Sequence, residues 1–257
     1  MYIRIILGIA VPFIGTVLGG ACVFFMKKEI SESVEHIITA FAAGIMTSAS
    51  FFSLILPGID YSYRFNNFAF LPVSVGFILG VCSLVVSDAV VFCASKKAEI
   101  ESARRRKRSR VVFAVAVHNF PEGMAVGAVF ASALSIGSFS AASAALALSF
   151  GIAVQNFPEG AIISLPLKAN GMGKLKAFFA SAASGIVEPI GAAVMLVASS
   201  QFLPLLPYVL GFAAGAMIFA VVDDMLPGKS DHVGAKSASV AFSVGFVIMM
   251  ILDVAMK

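Results

Sequence analysis

The chain has 257 residues, 60% of them hydrophobic and only 12% charged, with a mean hydropathy of +0.99 and a formal net charge of +4. Soluble domains carry about 25% charged residues, so this composition excludes an ordinary globular protein. It reads instead as a single transmembrane domain over residues 1–257, with no length left for a domain outside the bilayer.

Eight apolar runs long enough to cross about 30 Å of hydrocarbon follow one another: about 3–26, 37–58, 70–94, 111–131, 139–164, 176–199, 204–227 and 237–256. The expected fold is therefore all-α and polytopic, with eight transmembrane helices. The first run is longer than the apolar part of a cleaved signal. It also continues past the faint lipoprotein-like box Leu18-Gly19-Gly20-Ala21-Cys22, so a transmembrane helix is expected there. In the second run Met46 and Ser53 lie two turns apart on one face, a pairing that by itself is read as packing, and Asp60 stands at its outer end as a solvated charge. Asp88 in the third run is left between a pathway role and an internal pair.

A basic stretch, about 95–110, separates the third run from the fourth. Counting gaps alternately, one side receives 15 of the 18 Lys and Arg residues, leaving Arg4, Arg64 and Lys257 opposite. The positive-inside rule then places this loop in the cytoplasm and both termini outside the cytoplasmic membrane. The Arg-rich cluster is read as setting orientation and touching anionic headgroups, not as binding nucleic acid. Cys22, Cys82 and Cys93 stand singly in apolar surroundings and are expected to be buried small hydrophobes. His36 and His232 fall in loops as ordinary surface residues.

The fourth and fifth runs carry two copies of one hexapeptide, His118-Asn119-Phe120-Pro121-Glu122-Gly123 and Gln155-Asn156-Phe157-Pro158-Glu159-Gly160. An ionisable residue at membrane depth costs at least a few kcal/mol and marks a functional site by default. On a helix His118 and Glu122 share a face, as do Gln155 and Glu159. Pro121 and Pro158 each remove a backbone donor beside those side chains, so a kink is expected in both helices. One imidazole, two carboxylates, a Gln and two Asn amides could then face one space, a donor set suited to a divalent metal of intermediate hardness. Interhelical hydrogen bonding alone would explain one such polar residue, but two copies in opposed helices argue against packing as the whole account.

In the sixth run Glu188, followed by Pro189, is a third carboxylate for the same space. The seventh begins Phe212-Ala213-Ala214-Gly215-Ala216-Met217, matching Phe41-Ala42-Ala43-Gly44-Ile45-Met46 of the second, and ends near Asp223 and Asp224, which could receive an ion leaving toward the cytoplasm. The second and seventh runs cross in opposite senses. Runs 1–3 and 6–8 are therefore expected to be inverted repeats around runs 4 and 5, an architecture of transporters.

These residues resemble the Zrt/Irt-like (ZIP) family of divalent metal transporters, in its bacterial GufA-like branch. The resemblance spans all eight runs and rests on the paired hexapeptides, the basic loop and the helix 7 pattern. It implies zinc uptake into the cytosol, often also cadmium, iron or manganese, with both termini outside. It implies a metal site at His118, Glu122, Gln155 and Glu159, and a second one in some members at Asn119, Asn156 and Glu188. It also implies a route lined by Met46 and Ser53 and an inner exit at Asp223 and Asp224. Many members carry His where Gln155 stands and some an acid where Asn156 stands, which leaves affinity and a binuclear centre open. Oligomeric state is open too, with a homodimer consistent with the family. An intramembrane metalloenzyme is the other class considered; no H-E-x-x-H and no Ser or Cys with a paired base supports it.

Overall fold

The computed structural model describes residues 2–26, 31–95, 102–169, 171–197, 203–225 and 232–255, and no strand occurs among them. They form α1 (Tyr2–Gly20, continued by Cys22–Phe25), α2 (Glu32–Ala49, then a π-helical stretch Ser50–Ile55 and Leu56–Asp60) and α3 (Phe70–Ser95). Next come α4 (Ser102–Ile136), α5 (Phe139–Ala169) and α6 (Lys174–Gly185 and Val187–Val197). Last are α7 (Leu206–Ala220, then π-helical Val221–Met225) and α8 (His232–Ala255). Over the described residues, seven of these helices are long and apolar enough to cross a bilayer; the apolar run of α4 begins among side chains outside the described set. The chain is an all-helical, multi-pass membrane protein.

Local features refine these expectations. The basic residues 104–110, expected in a loop, continue α4; Arg and Lys are strong helix formers, and a helix end beyond the bilayer tolerates charge. Pro121 and Pro158 lie inside helices whose assignment runs on through them. A break in the helical run falls in α6 at Ile186, where Pro189 has no N–H for the carbonyl four residues back. Cys82, expected to be buried, is exposed, and Cys22 is partly so. In lipid the outward face is as apolar as the interior, so a thiol is at home on either. Cys93 lies outside the described side chains.

The helices group as two four-helix bundles. In one, α1 packs along α5 and α4 along α6; in the other, α2 packs along α8 and α3 along α7. Between the bundles, α4 meets α7 and α3, while α5 meets α2 and α8. Exchanging helix 1 with 6, 2 with 7, 3 with 8 and 4 with 5 turns every one of these pairs into another. This is the contact pattern an inverted repeat requires.

The sequence basis is a Phe-x-x-Gly in each helix of the second bundle: Phe41–Gly44, Phe77–Gly80, Phe212–Gly215 and Phe242–Gly245. A Cβ on Gly44 would lie 2.0 Å from the Phe242 carbonyl oxygen, and one on Gly245 2.1 Å from that of Phe41. In the related pair, Gly215 faces the Phe77 carbonyl and Gly80 that of Phe212, each at 2.1 Å from the built Cβ. Small residues let helix backbones touch where lipid offers no hydrophobic drive to association. The two π-helical stretches obey the same symmetry, since Ser50 and Val221 stand as far apart in sequence as Phe41 and Phe212. Between the bundles lies an apolar, alanine-rich layer containing Ala42, Ala43, Ala125, Ala128, Ala213 and Ala214.

At one end Arg4 donates to Ser143 Oγ at 2.5 Å and stacks 3.5 Å over the Phe139 ring, joining the starts of α1 and α5. At the other, Lys174 Nζ donates to the Phe24 carbonyl at 3.0 Å. Gly44→Ala and Gly215→Ala should each destabilise the protein by about 1–3 kcal/mol, because the partner is backbone and cannot rotate away. The check is the thermal midpoint in detergent, with Gly173→Ala, which meets nothing within 4 Å, expected to be neutral.

Candidate metal centre

Helices α4 and α5 form an antiparallel hairpin over the short connection Gly137-Ser138, with Gly137 at φ +65°. The hairpin brings the two hexapeptides side by side. Asn119, Glu122, Gln155 and Asn156 are each 0% exposed, Glu159 is 3% and Glu188 1%. Burial this complete for so many polar side chains needs compensation.

Each hexapeptide ends in a glycine that admits a neighbouring helix. A Cβ on Gly123 would sit 2.0 Å from the carbonyl oxygen of Glu188 in α6, and one on Gly160 2.2 Å from that of Thr16 in α1. Thr16 and Glu188, brought in by equivalent contacts, also meet each other: Thr16 Oγ1 donates to Glu188 Oε1 at 2.9 Å. Asn119 Nδ2 donates to the same oxygen at 3.1 Å, and Asn156 Nδ2 to Glu188 Oε2 at 2.9 Å. Asn156 Nδ2 also reaches the Pro12 carbonyl at 3.4 Å. Four helices of one bundle are thus tied to a single carboxylate.

Glu122 is treated differently. Gln155 lies against it, and Glu159 and Glu188 are close enough to act on its charge. Yet neither oxygen of Glu122, nor either polar atom of Gln155, has a hydrogen bond of acceptable geometry. The Asn119 and Asn156 Oδ1 atoms are likewise buried and unpartnered. A carboxylate in such a place requires a proton or a cation. Among the described residues, no three His, Cys, Asp or Glu side chains converge closely enough to hold an ion alone; the described donors beside Glu122 therefore include the amide of Gln155. The side chain of His118 lies outside the described residues.

The other described candidates make no hydrogen bond with this cluster. Met46 is buried in the apolar layer between the bundles. Ser53, within the π-helical stretch Ser50–Ile55, donates to the Asp253 carboxylate of α8. Ser53, Asp253 and Asp60 line a cavity of about 330 Å³ that α4 and α5 close with Val129, Ala147 and Leu148. Asp223 is exposed and apart from the buried cluster, and the side chains of Asp224 and Asp88 lie outside the described residues. Sequence reasoning missed two residues. Asp253 had a legible signal, a lone carboxylate in the last apolar run. Thr16 had none, since a threonine among glycines and valines reads as packing.

Residues 94–253 match the family model described as ZIP Zinc transporter. The chain is 35% identical to zinc transporter ZIPB of Bordetella bronchiseptica, over 98% of this chain and 81% of that protein. It is 31% identical to zinc transporter ZIP11 of Xenopus tropicalis, over 93% of each. Against zinc transporter GufA of Myxococcus xanthus the identity is 30%, over 94% of this chain and 95% of the other. The likeness to these three runs through nearly the whole chain, and the chain belongs to the ZIP zinc transporter family.

Proposed function

We propose that this protein carries zinc across the cytoplasmic membrane into the cytosol, and that the ion binds at Glu122, Gln155 and Glu159, with His118 on the same helix face as Glu122. The observation that supports this most is Glu122 itself, fully buried with Gln155 against it and with neither carboxylate oxygen in a hydrogen bond of good geometry. A dication there offsets the cost of the buried acids. Oxygen and nitrogen donors without thiolate bind zinc less tightly than a closed Cys site, which suits a carrier that must release its ion. The same donors accept Cd²⁺, Fe²⁺ and Mn²⁺ in principle, and the relatives named zinc transporters favour zinc.

In this reading all the ion's proposed donors ride on the bundle of α1, α4, α5 and α6. The smooth alanine layer against the second bundle allows one bundle to move relative to the other, exposing the site to each side in turn. The cavity with Asp60 and Asp253 supplies negative potential on the entry side, and Asp223 and Asp224 on α7 serve the exit. The excess of basic residues on one face supports both termini lying outside.

In proteoliposomes loaded with a zinc-sensitive dye, Glu122→Ala and Glu159→Ala should each lower zinc influx at least tenfold, and wild-type rates in both would refute the site. Competition by cadmium, iron and manganese in the same vesicles ranks the substrates. Asp253→Asn should slow uptake severalfold at low zinc while leaving the saturated rate nearly unchanged, because removing a focusing charge affects capture more than turnover. Equal slowing at all zinc concentrations would instead place Asp253 in the conformational step.

A further inference from the structure

The carboxylate of Glu188 has no oxygen left over. Oε1 accepts from Thr16 and Asn119, at 2.9 and 3.1 Å, and Oε2 accepts from Asn156 at 2.9 Å. All four side chains are 0–1% exposed. The amide nitrogens of both asparagines therefore point at Glu188, and their carbonyl oxygens point away from it, buried and without partners.

This orientation decides between two uses of the cluster. A second cation held by Glu188 would need the asparagine carbonyl oxygens turned inward, replacing three charge-assisted hydrogen bonds. Here both asparagines spend their NH₂ groups on Glu188, and neither carbonyl oxygen has a partner. Hydrogen-bond donors already stand where a second cation would stand.

The internal symmetry explains the fourth member. The glycine of each hexapeptide admits one helix, Gly123 the backbone of Glu188 and Gly160 that of Thr16. Thr16 thus occupies in the first repeat the place Glu188 holds in the second. One symmetric pair supplies two amides, from α4 and α5, and the other supplies unlike groups, a hydroxyl from α1 and a carboxylate from α6. One acid at this centre can be satisfied by three donors; two facing acids could not.

Building on the metal reading of Glu122 and Glu159, we infer that Thr16, Asn119, Asn156 and Glu188 form a closed hydrogen-bonded ring that takes the place of a second ion. The site holds one dication per chain. Within the ring Thr16 is a positioning residue: it fixes the Glu188 carboxylate, which fixes both amides, which keep their carbonyl oxygens turned outward as neutral donors.

The test uses the full chain. Zinc bound to detergent-purified protein, measured by equilibrium dialysis with elemental analysis, is compared between wild type and the Glu122→Ala/Glu159→Ala double variant. The expected difference is one ion per chain. Two ions overturn the ring, and no difference overturns it together with the site it rests on. In zinc uptake, Thr16→Val should raise KM about tenfold, the effect expected for a lost hydrogen bond to a charged group, with kcat within about twofold. Thr16→Ser should restore KM. An unchanged KM in Thr16→Val, or no rescue by Ser, overturns the positioning role; if Thr16→Val does not fold, the ion count on wild-type protein decides alone.

Discussion

Everything at the centre of this molecule is organised by the cost of a carboxylate inside a bilayer. Glu188 meets that cost internally, with three hydrogen bonds drawn from α1, α4 and α5. Glu122 has only Gln155 against it and no hydrogen bond of good geometry, which is why the proposed ion site is built on it. Two acids in the same bundle, on neighbouring helices, thus have opposite roles set by what surrounds them. The satisfied acid ties a frame together, and the other is the proposed place for the cargo.

The frame is possible because backbones touch. Where Gly123 and Gly160 end the two hexapeptides, a side chain of any size would push α6 and α1 away and separate Glu188 and Thr16 from the asparagines. The same device, repeated as Phe-x-x-Gly, zips α2 to α8 and α3 to α7 in the other bundle. Tight contact within each bundle and small apolar contact between them divide the molecule mechanically as well as chemically. The proposed ion donors lie on one side of that division and the acidic cavity straddles it.

The symmetry is also informative where it fails. Helices α4 and α5 offer the same Asn and Glu at matched positions, but Thr16 stands opposite Glu188, and Ser53 sits in a π-helical stretch whose counterpart carries Asp223 and Asp224. A perfectly symmetric carrier would bind its ion equally from both faces. Polar asymmetry on a symmetric scaffold gives the two faces different chemistry.

Composition and spacing alone determined the membrane, the eight helices, the paired motif and the opposed repeats, because these depend on local hydropathy and on residue types at fixed separations. Asp253 was legible on the same rule, a charge in an apolar run, and Phe-x-x-Gly in α3 and α8 could have completed the repeat. What only tertiary structure decided is which buried acid is already answered and which is not. Glu122 and Glu188 look alike as isolated carboxylates in apolar helices; they differ through Thr16, which lies 172 positions from Glu188 in the chain and makes its bond across the bundle. The π-helical turn that carries Ser53 was equally hidden, since helical spacing counted from sequence assumes a regular turn. Hydrogen-bond satisfaction is a property of neighbours in space, and the order of residues along the chain does not record it.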